Sequence, residues 1–271
     1  MVSSLLILTQ FLIVGTEAPA IVNGIFKPTE PNVGEFPYHA SLMLVHNKKY
    51  HSFCGGSLIH PRWILTAAHC IQLDKEHPAI KPQAIYVALG SIYRDAKGAQ
   101  LMRVERAIIH PAYLEEERND IALVKLKSAA KLGPNVKVIK LHSNNNESLL
   151  AKTVFLTGFG ITNDLQNTPE RLRKATLHVS SYSKCLNEPE FENVEICATS
   201  TMAEGKACKG DSGGPLVLQN NGRLIQVGVT SHLAVLPFCR FQFNNSVYTR
   251  VSAYIAWLSK VAGINFRTYP Y

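Results

Sequence analysis

The stretch CKGDSGGPL, residues 208–216, decides how the rest of this chain is interpreted. Glycines surround a single hydroxyl here, and glycine permits tight backbone turns and the close approach of a ligand. Such a turn can expose the Ser212 oxygen and direct neighbouring N–H groups at one point, as acyl transfer requires of a nucleophile and its oxyanion donors. The same residues also suit an ordinary surface turn. A base and an orienting acid elsewhere in the chain would decide between the two interpretations.

Length, composition and the N-terminal residues indicate a secreted globular protein. The 271 residues are 46% hydrophobic, enough to form a core in one large domain or two small ones. The net charge of +8 is scattered and not interleaved with aromatic residues, which argues against nucleic-acid binding. Residues 1–20 have an apolar centre and end in Ala-Pro-Ala, as secretory signals do. This apolar centre is too short to cross a bilayer and no later segment is long enough, so we expect no membrane association.

Six cysteines in a secreted chain predict three disulfides. Counting alone permits about 15 pairings. Metal binding is the alternative, but the chain lacks the Cys-x-x-Cys and His-x-x-x-His spacings of zinc sites, so no zinc is expected.

Many short apolar runs separated by Gly, Pro and Asn predict an all-β sandwich or barrel. The segment 38–59 indicates a hairpin with its polar tip at 46–49, and the region 127–148 indicates a connection between two β units. Further strands are expected at 63–67, 84–89, 102–109, 121–126, 136–139, 153–160, 172–179, 214–218, 224–230 and 247–251. One helix face is expected near the end, formed by Val251, Tyr254, Ile255, Leu258 and Val261.

Two motifs offer the base and the acid that the opening stretch needs. His69 follows an apolar strand in LTAAHC, and Asp120 opens the buried-looking strand NDIALVKL. A carboxylate at the start of a buried strand needs a hydrogen-bonding partner, and one use is to hold a histidine in the right tautomer. With Ser212, these motifs occur in the order His, Asp, Ser. The chain thereby resembles the chymotrypsin/trypsin family of secreted serine proteases, from Ile21 to about Ala262.

The resemblance implies two six-stranded antiparallel β-barrels with a C-terminal helix. It places the first barrel at about 38–127, the second at about 149–251 and the helix at about 251–262. These lie in a protease domain of residues 21–262, which follows a signal peptide of residues 1–20 and precedes a tail of residues 263–271. The implied activity is that of a serine endopeptidase, which cleaves peptide bonds through an acyl-enzyme.

Roles are carried over from the family by position. Ser212 would be the nucleophile, with His69 as general base and Asp120 orienting it. The N–H groups of Gly210 and Ser212 would form the oxyanion hole, and Ser231 would hydrogen-bond to Asp120. The implied disulfides use every cysteine and are Cys54–Cys70, Cys185–Cys197 and Cys208–Cys239.

The resemblance also implies an activation step in which the new amine of Ile21 pairs with Asp211. The family usually has Lys or Arg before this isoleucine, whereas this chain has Ala20. We therefore expect signal cleavage after Ala20 to release an active enzyme, and the alternative is an earlier cut near Ala18 followed by trimming.

The expected specificity pocket departs from the family at three positions. Lys206 stands where trypsins have aspartate, which disfavours cleavage after Lys or Arg. Lys206 would either attract acidic side chains or extend to solvent and leave an apolar pocket, so a chymotrypsin-, elastase- or acidic-type preference stays open. His232 and Leu233 replace Trp and Gly in the pocket wall, and Ser246 is expected at the second wall position.

Remaining expectations concern ligands and partners. No cofactor or metal is expected, since 90–100 lacks the paired glutamates of calcium-binding trypsins. Asn146 and Asn244 begin glycosylation sequons. Protein or peptide substrates and protein protease inhibitors are the expected partners of a monomeric enzyme. The rival hypothesis is a catalytically silent homologue that acts by binding, because the pocket residues are atypical although the triad is intact.

Overall fold

The computed structural model describes residues 30–113, 118–161, 167–200, 205, 207–233 and 245–271, with only the backbone of Leu233. The predicted signal peptide, Ile21, Lys206, Cys239 and Asn244 lie outside the described residues. None of the helices in these ranges is both long and apolar enough to cross a membrane.

The first six strands form a closed antiparallel barrel in the order β1-β2-β3-β6-β5-β4. Its inward positions alternate with outward ones, as in β5, where Met102 and Val104 are buried while Leu101 and Arg103 are exposed. Closure leaves no free sheet edge. The strands are β1 (His39–His46), β2 (Lys49–His60), β3 (Trp63–Thr66), β4 (Ile85–Leu89), β5 (Gln100–Ile109) and β6 (Ala122–Leu126).

The second barrel contains β8 to β13 and closes through the pairing of β11 with β12. A short strand, β7, adds to β12 in parallel at the side of this barrel. The fold is thus the two-barrel architecture that the sequence predicted. The strands are β7 (Lys140–Leu141), β8 (Thr153–Gly158), β9 (Arg173–Ser180), β10 (Glu195–Thr199), β11 (Pro215–Asn220), β12 (Arg223–Leu233) and β13 (Asn245–Arg250).

Two details of the strand prediction are corrected. The strand expected at 136–139 is wrong, because the chain there makes only an isolated bridge at Val136 and the strand β7 comes later. Strand β10 was missed, because it is five residues long and begins with the buried carboxylate of Glu195. A glutamate at such a position disguises the apolar pattern from which a strand is predicted.

The chain ends in a helix that packs on the first barrel. A 3₁₀ turn at Val251–Tyr254 leads into α1 (Ile255–Ala262), which ends at Gly263 in the left-handed conformation, φ 70°. Beyond it, Phe266 has no exposed surface and joins the same core as the first barrel. Phe266 therefore attaches the segment after the helix to this core.

Candidate active site

His69 and Asp120 form a directly bonded pair. His69 follows β3, and its neighbour Cys70 is joined by a disulfide to Cys54 of β2. The Nδ1 atom of His69 lies 2.7 Å from Oδ2 of Asp120, and the His69 backbone N–H donates to Oδ1 at 2.9 Å. Both carboxylate oxygens of Asp120 thus hold the histidine, one by its ring and one by its backbone.

The electrostatics of this pair favour protonation of His69. Burial by itself would lower the pKa of His69, but the adjacent Asp120 carboxylate outweighs it and leaves the pKa raised. For Asp120 burial acts in the opposite direction and by itself would raise the pKa. The neighbouring His69 and the hydrogen bonds from His69 and Ser231 outweigh it and bring the pKa below the usual value. Asp120 is therefore ionised and accepts the Nδ1 proton of neutral His69, so Nε2 is the atom that can accept a proton.

The second barrel holds Asp120 from the other side. Ser231 Oγ of β12 donates to Asp120 Oδ2 at 2.6 Å, and Thr249 Oγ1 of β13 donates to the Asp120 carbonyl at 2.7 Å. Before it, Asn119 has a positive φ of 57° and accepts a hydrogen bond at 2.9 Å from the hydroxyl of Tyr254. The carboxylate is fixed at the junction of the two barrels.

The stretch around Ser212 lies against the first barrel beside the same disulfide. The carbonyl of Ser212 accepts a 2.7 Å hydrogen bond from the backbone N–H of Gly55. Gly213 has φ 75°, and a Cβ there would overlap Thr66 Oγ1 and lie 3.1 Å from Cys70 Sγ. This contact requires glycine and brings the turn next to the residue that follows His69.

The half-buried side chain of Ser212 has no hydrogen-bond partner for its hydroxyl among the described residues. Among the described residues no hydrogen bond joins Ser212 Oγ to His69 Nε2, and Nε2 lies 3.8 Å from Cys70 Sγ. Catalytic hydrogen bonds are often long or poorly aligned before substrate binds.

Backbone donors at this turn divide into used and unused groups. The N–H groups of Asp211, Gly213 and Gly214 donate to carbonyls of the protein at 2.8–3.0 Å. Those of Gly210 and Ser212 donate to no acceptor in the described part of the chain. Gly210 has φ 99°, a backbone conformation that glycine adopts readily and other residues rarely do. Two N–H groups on either side of Asp211 are thus available to an external oxygen.

Asp211 is fully buried, and burial disfavours the ionised form of its carboxyl group. Its carboxylate accepts hydrogen bonds from the N–H groups of Gly160 (2.8 Å) and Cys208 (2.9 Å). These bonds lower its pKa only in part, and burial raises the pKa to about 7. No cationic side chain among the described residues pairs with it.

The predicted disulfides can be compared with those described. Cys54–Cys70 and Cys185–Cys197 are confirmed, with Cα atoms 6.2 and 5.7 Å apart. Cys208 is disulfide-bonded, and its predicted partner Cys239 lies outside the described residues.

The predicted pocket wall is only partly described. The backbone of Leu233 at the end of β12 pairs with Ser246 of β13, so these two wall positions face each other across the strands. Ser246 is buried and its Oγ lies 2.8 Å from the hydroxyl of Tyr248. His232 is exposed, and its Nδ1 lies 3.1 Å from Ser231 Oγ.

A partly buried ion network beside this wall was missed by the sequence reasoning. Arg118 donates from Nη1 to both oxygens of Glu195 at 3.1 and 3.2 Å and from Nη2 to Glu188, and its guanidinium lies 4.2 Å from the ring centroid of Phe191. The hydroxyl of Tyr182 also donates to Glu195. Because Arg118 comes two residues before Asp120, this network ties the segment that leads to Asp120 to the second barrel. Its only signal in the sequence is an arginine after three consecutive glutamates, which more often marks a solvated surface.

One group of potential metal ligands lies in the site. Donor atoms of Cys54, His69 and Cys70 are all within 4.8 Å of one another. The two sulfurs are bonded to each other, so neither can act as a thiolate ligand. This donor set does not suit a metal ion.

Comparisons with known proteins agree with this geometry. A family model described as Trypsin matches residues 25–258. The chain is 30% identical over 263 residues to Serine protease SSP1 from Scolopendra subspinipes, covering 93% of this chain and 89% of that protein. It is 32% identical over 242 residues to Fibrinolytic enzyme, isozyme C, from Lumbricus rubellus, covering 85% and 96%. With its two-barrel fold, this chain therefore belongs to the trypsin family of serine proteases and is a serine endopeptidase.

Proposed function

We propose that this protein is a secreted endopeptidase that cleaves peptide bonds with Ser212, His69 and Asp120 as its catalytic triad. The observation that carries the proposal is the bonded chain from Ser231 through Asp120 to His69. These hydrogen bonds fix the tautomer of His69 that carries its hydrogen on Nδ1. They leave Nε2 as a base on the side of the turn that contains Ser212.

The proposed reaction uses each group once in acylation and once in deacylation. Nε2 of His69 accepts the Ser212 proton as Oγ attacks the peptide carbonyl, and then gives it to the leaving amine. In deacylation the same Nε2 takes a proton from water as the water oxygen attacks the acyl carbonyl. The bond from that carbonyl to Ser212 Oγ then breaks, Nε2 returns the proton to Oγ, and the acid product leaves. The N–H groups of Gly210 and Ser212, which donate to no acceptor among the described residues, are suited to hold the oxyanion in both halves.

Activation would depend on Asp211. A carboxylate that is buried with only two backbone donors gains much from a cation, and the proposed cation is the amine of Ile21. Because Ala20 precedes Ile21, cleavage by signal peptidase would create this amine directly.

The proposed preference at the residue before the cut is non-tryptic. Lys206 would repel substrate Lys and Arg. Leu233 stands where the family has glycine and would restrict the pocket, and its backbone is paired with that of Ser246, the second wall position. A chymotrypsin-, elastase- or acidic-type preference is compatible with these residues.

The proposed partners are protein substrates and protein inhibitors of proteases, and the proposed state is a monomer. Asn146 is exposed in a polar turn and is the better of the two candidate glycosylation sites.

A fluorophosphonate probe tests the nucleophile directly, since it labels only an activated serine. The Ile21-starting protein should be labelled with one equivalent, and Ser212→Ala should abolish the labelling. Ser183→Ala is the matched control and should leave it unchanged, since Ser183 is exposed and its hydroxyl donates to Ser181. Absence of labelling in the unaltered protein would instead favour the silent homologue.

A further inference from the structure

His232 stands beside the catalytic pair in an unusual hydrogen-bonded position. Strand β12 has a bulge between Thr230 and His232, where its register with β13 shifts. A bulge redirects side chains that would otherwise point to opposite faces. At this bulge the Nδ1 atom of His232 lies 3.1 Å from the Oγ atom of Ser231.

The direction of these hydrogen bonds follows from the proton count. Ser231 has one hydroxyl proton, and its 2.6 Å bond to the ionised Asp120 uses that proton. Ser231 Oγ can then only accept from His232, so Nδ1 of His232 carries a hydrogen. In the neutral ring the other nitrogen, Nε2, is therefore an acceptor.

Nε2 of His232 is not used inside the described part of the protein. The side chain is exposed, and no described residue forms a hydrogen bond with Nε2. It thus offers an acceptor of fixed orientation next to the pair of His69 and Asp120.

We propose that His232 is a specificity-determining residue whose Nε2 accepts a hydrogen bond from a substrate side chain when neutral and donates one to a substrate carboxylate when protonated. The inference rests on the proposed endopeptidase function. It assigns two substrate classes to one position: peptides with amide or hydroxyl side chains near neutral pH, and peptides with acidic side chains in acid.

The surroundings of the ring set the pH range. Desolvation is the main cause that lowers the pKa of His232, so the ring is neutral at neutral pH and becomes cationic only in acid. Across the strand pair β13 presents Val247, which does not titrate. The described charged groups that act on the ring are Glu195, Arg118, Asp120 and His69. The two carboxylates favour the cation, whereas Arg118 and a protonated His69 oppose it.

The test is a ratio of kcat/KM values for paired peptides. Otherwise identical peptides carry Gln or Glu at one of three positions on either side of the cleaved bond. At each pH both peptides are cleaved by an enzyme with the same protonation state of His69. Protonation of His69 in acid therefore lowers both kcat/KM values equally and leaves their ratio unchanged. At one position the Glu/Gln ratio should rise by about 2- to 5-fold between pH 8 and pH 5.5, as expected for a partly exposed ion pair.

Variants assign the effect to His232. The ratio should become independent of pH in His232→Phe and in His232→Gln, which keeps a polar group that does not titrate. His178→Phe, in β9, is the control and should behave as the unaltered protein.

Fluorophosphonate labelling of each variant first shows that its nucleophile is assembled. A pH-independent ratio at every position of a labelled, active enzyme overturns the proposal, as does a ratio that still rises in both His232 variants. Failure of the unaltered protein to be labelled or to cleave any peptide would overturn the endopeptidase proposal instead.

Discussion

Asp120 and Asp211 are both buried carboxylates at the junction of the barrels, yet their surroundings shift their pKa values in opposite directions. Asp120 is bonded to His69 and Ser231, and its pKa lies below the usual value. Asp211 has two backbone N–H donors and no described cation, and its pKa rises to about 7. Burial is common to the two sites, so the partner accounts for the difference.

The two carboxylates differ in whether the described residues supply a cationic partner. Around Asp120 the described residues already supply a group that can carry positive charge, and the carboxylate is ionised at neutral pH. Around Asp211 the described residues leave the charge incompletely balanced, so a further cation would stabilise both the carboxylate and the turn that carries it.

Breaking the Asp120 site should have the largest effect. Asp120→Asn should lower turnover by about 10⁴, the loss expected for this substitution in a Ser-His-Asp triad, because the amide favours the wrong tautomer of His69. The acid limb of kcat/KM should also move. In the unaltered enzyme Asp120 raises the pKa of His69, so activity is lost as pH falls through that raised value. Without the carboxylate, the limb should appear at lower pH.

Asp74→Asn is the matched control, since Asp74 also bonds to a histidine, His77, but at an exposed site. It should leave kcat/KM and its acid limb unchanged. A residual activity of Asp120→Asn within tenfold of the unaltered enzyme would contradict the assignment.

Completing the Asp211 site should have the next largest effect. A chain that begins at Ile21 should exceed one that begins at Ala20 by at least about 10² in turnover, because an unpaired Asp211 leaves the oxyanion donors unordered. The ion pair should raise the pKa of the Ile21 amine above its ordinary value of about 7.7–8.0. Activity of the Ile21 chain should therefore persist at lower pH and decline as pH rises through the raised value.

Asp211→Asn supplies the control, because it removes the carboxylate and should abolish the difference between the two chains. Equal turnover of the Ile21 and Ala20 chains, without an alkaline decline, would show that Asp211 needs no such cation.

Sequence reasoning succeeded where a contact is marked by local motifs. The contexts of His69 and Asp120 identified a pair that the structure joins at 2.7 Å, and two predicted disulfides are confirmed. It failed where partners are distant and chemically ambiguous. Arg118 and Glu195 are 77 residues apart, and nothing near Glu195 marks it as buried or as the start of β10. The bond from His232 to Ser231 lies at a strand bulge, which the alternating pattern of residues does not reveal.

The smallest expected effect concerns the glycine beside Asp211. A Cβ on Gly158 would overlap the Asp211 carboxylate, and Gly158 cannot easily move because it ends β8 in register with Arg173 of β9. Gly158→Ala should therefore destabilise the protein by about 1–3 kcal/mol, the usual cost of overpacking, measured by equilibrium denaturant unfolding.

Gly133→Ala is the matched control, since Gly133 also has no positive φ and a Cβ there would meet nothing within 4 Å. It should change stability by no more than about 0.5 kcal/mol. The decisive comparison repeats Gly158→Ala in an Asp211→Ala background, where the overlapping carboxylate is gone. If the position of that carboxylate causes the destabilisation, the two substitutions are strongly non-additive and the second costs little. If Gly158→Ala lowers the free energy of unfolding equally in both backgrounds, the strain lies in the strand itself. That result would contradict a fixed position of the Asp211 carboxylate against Gly158.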